Sequence, residues 1–227
     1  MNLWQAREKS LNWLSNELVE QEALLDQGFA LLDECVSLLN QYRQVPDGEF
    51  NDRFARVVIL TLAKTRNLLF GSYSLMLDAL TQEAGALLRL ILEAYELLVY
   101  FRLDPTRVGQ AIDGYLPTFG EITKMIAGEF QDLRGYLSTY AAHINLSSDS
   151  VRHLLDYQTS EIKAVQNHSV DMFNNNLTTL NAVQVLVVAE AIRCLNAMGH
   201  LPNSLIDDFE DWRLKSIKTS PPASDGT

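Results

Sequence analysis

One stretch of the chain has apolar residues around most of a helical circumference. Residues 81–104 read TQEAGALLRLILEAYELLVYFRLD, and at 100° per residue five of their polar side chains fall into one narrow stripe. A helix with so wide an apolar surface needs neighbours on most sides. We therefore expect residues 82–103 to form the central helix of a multi-helix bundle. Its polar stripe consists of Gln82, Arg89, Glu93, Glu96 and Tyr100.

A second stretch has the same character. Residues 177–198, LTTLNAVQVLVVAEAIRCLNAM, are apolar over most of a helical surface, and Gly199 is a suitable residue for the end of a helix. We expect this second buried helix to pack against the first. The pattern therefore predicts an all-α fold, with both helices inside one bundle.

The N-terminal region follows a seven-residue repeat. From Leu3 to about Tyr42 the pattern predicts one long helix, in which Gly28 weakens the middle and could mark a bend. The apolar seam can pack on the rest of the bundle, or it can pair two copies of the chain in a homodimer. The residues of this seam are Trp4, Leu11, Leu18, Leu25, Leu32 and Leu39.

Turn and capping residues delimit the next helices. Asp47 could cap a second long helix over about 54–80, Thr81 could cap the central helix, and Pro105 should end it. After a short helix over 106–115, the sequence from Thr118 to Glu121 fits a capping box, which opens a helix running toward Ala142.

The C-terminal half is less regular. A short helix is expected from residue 147 or 148 to 157, and residues 159–176 fit a helix and a loop equally well. A last amphipathic helix should cover 205–217. We expect residues 1–217 to form a single domain, followed by a disordered tail at 218–227.

Composition narrows the classes of function. The formal charge is −11 and the pI is near 4.8, which argues against general attraction to nucleic acid or to an anionic membrane, although a local basic patch remains compatible with it. We find no secretory signal and no transmembrane segment, so we predict a cytoplasmic protein. Cys35 and Cys194 both lie in apolar helical patterns and should be buried thiols.

The polar stripe of the central helix is the first candidate site. Arg89 and Glu93 are four residues apart, the spacing of a side-chain pair on a helix, and Glu96 and Tyr100 extend the same stripe. If the helix is enclosed, the stripe is a buried charged cluster and a candidate binding centre. If one side faces water, the stripe is only a solvated edge.

Histidine patterns give little support for metal chemistry. A two-metal bundle would need Glu three residues before His, and none of the four histidines has it. No Gly-rich phosphate loop, zinc-type cysteine spacing or nucleophile elbow is present, so we predict no metal and no cofactor. His143 lies at the end of a Tyr-rich helix. It could bind a ligand there, or it could simply be stabilised, when protonated, by the helix dipole.

One pair of residues matches a catalytic spacing. Arg193 and His200 are separated by six residues, and this is similar to the four to six residues between Arg and His in the HEPN ribonucleases. That resemblance implies a metal-independent attack of an RNA 2′-hydroxyl on its neighbouring phosphate, with Arg193 and His200 as the catalytic pair.

The middle of the chain also resembles a bacterial family of uncharacterised all-helical proteins. The resemblance is carried by Arg89-Leu-Ile-Leu-Glu93 in a helix that ends at Asp104-Pro105, and by the later Tyr136-Leu-Ser-Thr-Tyr140-Ala-Ala-His143. It implies a helical bundle in which Arg89, Glu93 and His143 are the matching positions. Such families are sometimes likened to HEPN proteins of toxin and defence systems.

Together these patterns favour a binding or interaction module. The expected ligand is an unidentified partner protein or small molecule, bound along Arg89, Glu93, Glu96, Tyr100 and His143. The alternative is a HEPN-like ribonuclease that acts through Arg193 and His200. Homodimerisation through the leucine seam is a separate prediction.

Overall fold

The protein is a bundle of α-helices. Its structure is a computed structural model that describes residues 3–42, 49–142, 154–156, 159, 161–162, 168–199 and 201–219. We number the helices of these residues in chain order. They are α1 (Leu3–Asn16), α2 (Val19–Tyr42), α3 (Glu49–Leu77), α4 (Thr81–Leu103), α5 (Val108–Asp113), α6 (Phe119–Ile126), α7 (Gln131–Leu137), α8 (Val170–Ala197) and α9 (Asn203–Thr219).

Three short elements accompany these helices. A 3₁₀ turn, Pro105–Arg107, precedes α5, and a π-helical turn, Ser138–Ala142, follows α7. A minimal antiparallel ladder pairs Leu155–Asp156 with Glu161–Ile162. The predicted short helix is therefore wrong at 155–156, where the backbone pairs with another segment; residues 147–153 and 157 lie outside the described part.

The two helices predicted to be buried are the centre of the bundle. Helix α4 packs against α3 and α8, and α8 packs against α2, α3 and α4. Fully burying one Leu or Ile side chain stabilises the fold by about 1.5–3 kcal/mol, and each of these two helices buries several such side chains. The all-α bundle with an apolar central helix is thus confirmed. Their buried aliphatic residues include Leu88, Ile91, Leu92 and Leu98 on α4, and Leu177, Leu180, Val187, Val188 and Leu195 on α8.

Helix α8 is also long and apolar enough to cross a membrane. It is the one helix of the described residues for which this holds, and most of its apolar stretch is buried inside the bundle. A core helix and a membrane helix share these properties. The absence of a transmembrane segment and the cytoplasmic location therefore stay predictions.

The predicted single helix from Leu3 to Tyr42 is wrong, because a turn divides it. The amides of Glu17 and Leu18 both donate to the carbonyl of Trp13, at 2.7 and 2.8 Å, and α2 begins at Val19. From Leu18 onward, the leucine seam is buried in the chain's own core. Trp4 and Leu11 stay at the surface, 76% and 47% exposed. Dimerisation through the seam remains a prediction.

Gly28 is a point of close packing within α2. A Cβ at this position would lie 2.4 Å from Cδ of Gln184 on α8 and 2.5 Å from Cζ2 of Trp212 on α9. Both neighbours are buried and bonded to α2: Trp212 Nε1 donates to the Leu24 carbonyl at 2.8 Å, and Gln184 Nε2 donates to the Leu25 carbonyl at 3.2 Å. The missing side chain of Gly28 therefore lets three helices meet, and the predicted bend at this residue stays a prediction.

The ends of α4 agree only partly with the prediction from the sequence. Asp104 is extended, with φ −149° and ψ 91°, and Pro105 follows it as predicted. Thr81 is not the cap, because it is the first residue of α4 and the cap position is Leu80, without a side-chain bond. The connection from α3 is a tight turn with Ala79 at φ 61°, and the Thr81 hydroxyl accepts instead from Asn176 Nδ2 at 3.1 Å.

The segment after α5 folds back over α4. The capping box of Thr118 and Glu121 is present, but the predicted continuous helix toward Ala142 is wrong because Ala127 takes φ 51° and ends α6. The next residue, Gly128, lies against Glu96 of α4. We call residues 119–142 the α6–α7 cover, since they lie along α4.

The C-terminal helices and the cysteines follow the prediction more closely. Ser169 caps α8, its hydroxyl accepting from the Met172 amide at 3.3 Å, and Gly199 takes φ 76° after its end. Cys35 and Cys194 are free and buried. Burial raises the pKa of both thiols, that of Cys35 to about 12. Asp47 and residues 220–227 of the predicted tail lie outside the described part.

Candidate functional site

The polar stripe of α4 contains the predicted ion pair. Arg89 donates to Oε1 of Glu93 from Nε at 3.1 Å and from Nη2 at 3.0 Å. Glu93 is buried, while Arg89 is partly exposed. The i,i+4 spacing places both side chains on one face of the helix, so this pair needs no contact from another element.

Glu96 is the most enclosed charge of the stripe. It is fully buried; its Oε2 accepts from Thr123 Oγ1 at 2.9 Å and from Nη1 of Arg134, both of which belong to the α6–α7 cover. Its Oε1 has no hydrogen-bond partner and lies beside Gly128. Burial raises the pKa of Glu96, against the opposing effects of Thr123 and Arg134.

The remaining stripe residues are also covered. The buried Tyr100 donates its hydroxyl to Gln110 Oε1 at 2.8 Å, and the Arg107 guanidinium lies 4.4 Å from the centre of its ring. Gln82 donates from its amide to the Tyr140 carbonyl. Gln82, Glu96 and Tyr100 therefore bond to α5 or to the α6–α7 cover, and these contacts help to hold both segments against α4.

The structure does not test the two predicted histidines. His143 and His200 lie outside the described residues. The convergence of His143 with Arg89 and Glu93 therefore stays a prediction, and so does the pairing of Arg193 with His200. Arg193 itself is described, on the last turns of α8.

Arg193 belongs to a second charged network, which opens to solvent. Glu190 is fully buried between α4 and α8; its Oε1 accepts from Nε of Arg102 on α4, and its Oε2 accepts from Nη1 of Arg193 at 3.1 Å. The Arg102 side chain is 25% exposed and that of Arg193 is 58% exposed. We call Arg102 and Arg193 the arginine pair.

The arginine pair has unused positive charge and unused donors. The one carboxylate of Glu190 balances one of two guanidinium charges, which leaves a local charge of +1. Among the described residues, the hydrogen bonds of the two guanidinium groups go to Glu190, and Tyr95 lies near both arginines. Burial and the charge of Glu190 raise the pKa of Tyr95, and both arginines oppose the rise. Such an arrangement can take an oxyanion.

Sequence reasoning found only part of this network. It selected Arg193 for its spacing from His200 and missed Arg102 and Glu190. One signal was available: Glu190 is a lone acidic residue in an otherwise apolar stretch of α8, three residues before Arg193. A buried charge needs partners, and Arg193 one turn later could supply one of them, which leaves the second to come from another helix.

A serine and a histidine also lie at hydrogen-bond distance. Ser10 Oγ is 2.8 Å from Nε2 of His168, in a bond whose direction depends on the histidine tautomer, and it is also 2.8 Å from the Leu77 carbonyl oxygen. Ser10 is fully buried, and the His168 ring packs on Trp13 and Phe173. A nucleophile needs access for a substrate, which the full burial of Ser10 denies. The contact is therefore structural, joining α1 to α3 and to the start of α8.

No group of three or more His, Cys, Asp or Glu side chains that could hold a metal ion occurs in the described part of the chain. The predicted absence of a cofactor stays a prediction.

Comparison with known proteins adds no assignment. The resemblance to a bacterial all-helical family and to HEPN proteins thus stays a prediction from the sequence. Protein-family models, curated proteins and solved structures were all compared with the chain, and none of them matches it.

Proposed function

We propose that the protein is a binding module that recognises a carboxylate or phosphate group, carried by a small ligand or a partner protein, at the arginine pair. The observation that carries this proposal is the buried Glu190, which orients two partly exposed guanidinium groups. The protein as a whole has a net charge of −11 and repels anions. An anion should therefore bind only where it contacts the arginine pair directly.

Preorganisation supports this role. Arg102 and Arg193 extend from α4 and α8, the two central helices, and Glu190 fixes one nitrogen of each. Binding therefore costs less side-chain entropy than it would for two free surface arginines. Guanidinium groups also match the oxygen spacing of carboxylates and phosphates, so they can donate two parallel hydrogen bonds.

The expected affinity for the bare anion is modest. A hydrogen bond to a charged group contributes about 1.5–3 kcal/mol, and two of them correspond to a dissociation constant of about 1 mM. Contacts of the rest of the ligand would add to this. A small anion is therefore a suitable probe of the site, although it is not the whole ligand.

The test is a calorimetric titration with inorganic phosphate and with acetate, at low ionic strength. We expect the wild-type protein to bind at least one of them with a dissociation constant of about 1 mM. Arg193→Gln should weaken binding by about tenfold, since it removes one charged donor group and leaves Glu190 paired with Arg102. The anion that binds more tightly indicates the class of ligand.

A matched control uses an arginine of the same kind elsewhere. Arg213 pairs with Glu210 three residues earlier on α9, at 2.6 Å, as Arg193 does with Glu190 on α8. Arg213→Gln should bind the anions like the wild type. Absence of binding to the wild type, or equal losses in both variants, would contradict the proposal.

The ribonuclease alternative is a second candidate. What favours it is the exposure of Arg193 together with the nearby Arg102, because two guanidinium groups could hold the phosphate on which an RNA 2′-hydroxyl acts. In that case His200 would move the proton between the 2′-hydroxyl and the leaving oxygen.

Incubation of the purified protein with single-stranded RNA in EDTA tests this alternative. If the protein is such a nuclease, we expect cleavage that Arg193→Ala abolishes and that leaves 2′,3′-cyclic phosphate ends. RNA that stays intact, or cleavage that survives the substitution, removes the nuclease but leaves the anion-binding proposal standing.

A further inference from the structure

A row of exposed side chains runs along the outside of α3. Its members repeat every three or four residues, so they share one face of the helix. Leu60 and Phe70 are 64% and 59% exposed, although both are large and apolar. We call this row the α3 outer stripe; it consists of Arg53, Arg56, Leu60, Lys64, Asn67 and Phe70.

The stripe is basic within an acidic protein. Helix α3 contains four of the 18 Lys and Arg residues and two of the 29 Asp and Glu residues, Glu49 and Asp52 in its first turn. Arg66, beside the stripe, is neutralised by Asp33 of α2, with bonds of 2.5 and 2.9 Å. Arg56 and Lys64 form no ion pair with any residue that the structure describes. Two exposed cations therefore flank Leu60, each one turn away.

From this juxtaposition we propose that the α3 outer stripe docks an acidic amphipathic helix of another protein. Leu60 lies between Arg56 and Lys64, which are eight residues or about 12 Å apart along the helix axis. Phe70 lies about 15 Å beyond Leu60. A helix packed along the stripe would set two apolar side chains on Leu60 and Phe70 and would bring carboxylates to Arg56 and Lys64.

The charge pattern selects this occupant over nucleic acid and lipid. Binding of nucleic acid or anionic lipid rests on several clustered cations. The stripe offers two cations without an ion-pair partner among the described side chains, beside two apolar anchors. The net charge of −11 also repels an extended polyanion, whereas a short acidic helix meets mainly the local basic stripe. Apolar anchors with flanking charges are the usual composition of a helix-binding surface.

The test uses a fluorescent amphipathic peptide as a probe. The peptide has two Leu anchors and Glu residues two turns apart on either side of the first anchor, and fluorescence anisotropy measures its binding to the full-length protein. A second peptide carries Lys in place of Glu. We expect the acidic peptide to bind and the basic peptide not to bind, with affinity for the acidic one falling as salt rises.

Variants locate the binding on the stripe. Arg56→Glu combined with Lys64→Glu should weaken binding of the acidic peptide by about tenfold or more, and Leu60→Ala should weaken it severalfold. All three residues are exposed, so circular dichroism should show an unchanged fold. The control combines Lys124→Glu with Lys218→Glu, two exposed lysines of other helices, which changes the net charge equally. It should leave binding unchanged.

Several results would overturn the proposal. These are no binding of the acidic peptide, equal binding of the basic peptide, or equal losses in the control variant. The protein could also bind RNA or phosphatidylserine vesicles and lose this binding in the variant with Arg56→Glu and Lys64→Glu. That result would assign the stripe to those partners instead. Light scattering that shows a dimer of the protein, broken by the same variant, would identify a second copy as the occupant.

Discussion

Gly28→Ala should destabilise the protein more than any other replacement of a glycine by alanine in the described residues. The new methyl group would lie 2.4 Å from Gln184 and 2.5 Å from Trp212, distances that force the helices apart or expel one of these side chains. Overpacking of this kind costs about 1–3 kcal/mol, and we expect the upper end, because both neighbours are themselves bonded to the α2 backbone. Denaturant unfolding of the variant measures the change in free energy.

Gly135→Ala is the matched control for this substitution. Gly135 lies in the interior of α7, and a Cβ there would meet no atom within 4 Å. Alanine is favoured over glycine by about 1 kcal/mol within a helix, so this variant should gain stability or keep it. Equal effects at both positions would show that helix propensity decides the outcome, and they would refute the close contact of α2 with α8 and α9.

Arg134→Met should also cost the protein much of its stability, about 3 kcal/mol. Arg134 donates to the fully buried carboxylate of Glu96, and removing one partner of a buried pair leaves an uncompensated charge. The double variant Glu96→Gln with Arg134→Met buries no charge, and we expect it to regain most of the loss. Unfolding in urea at pH 7 provides the comparison.

An exposed pair supplies the control for Arg134. Arg66 and Asp33 make a two-bond pair, but both side chains are solvent-exposed, so Arg66→Met should cost about 0.5 kcal/mol. If Arg134→Met costs no more than this, or if the double variant recovers nothing, Glu96 and Arg134 do not form the buried pair described here.

The same variants also predict how the cost of losing Arg134 depends on pH. Burial raises the pKa of Glu96, so the stability that depends on its neutral form is present at pH below the unfolded pKa and is lost as pH rises through the folded value. Losing Arg134 removes a charge that opposes this rise. The gap in stability between Arg134→Met and the double variant should therefore be small near pH 4 and grow toward pH 7.

The two central helices could be predicted because apolar residues cover most of the circumference of each, and such a helix is not stable at the surface of a bundle. Residues 82–103 and 177–198 have no other arrangement that buries so many apolar side chains. Pro105 and the capping box at Thr118 were equally predictable, since both act within one turn of the chain. These features depend on local sequence alone.

Features that involve distant residues were not predictable. The contact at Gly28 depends on Gln184 and Trp212, which the sequence places more than 150 positions away. Arg102 could be recognised as part of a site only once α8 brings Glu190 to it. In the same way, the stripe of α4 is compatible with a solvated edge until the α6–α7 cover is located, because one helix cannot indicate what lies above it.

The two buried thiols provide a reporter of motion that needs no introduced cysteine. A thiolate attacks iodoacetamide and displaces iodide, but in the folded protein both thiols are enclosed and have raised pKa values. Alkylation must then wait for an opening of the bundle around α2 or α8, which carry Cys35 and Cys194 respectively. Mass spectrometry of the two modified peptides would thus time the openings of two helices within one sample.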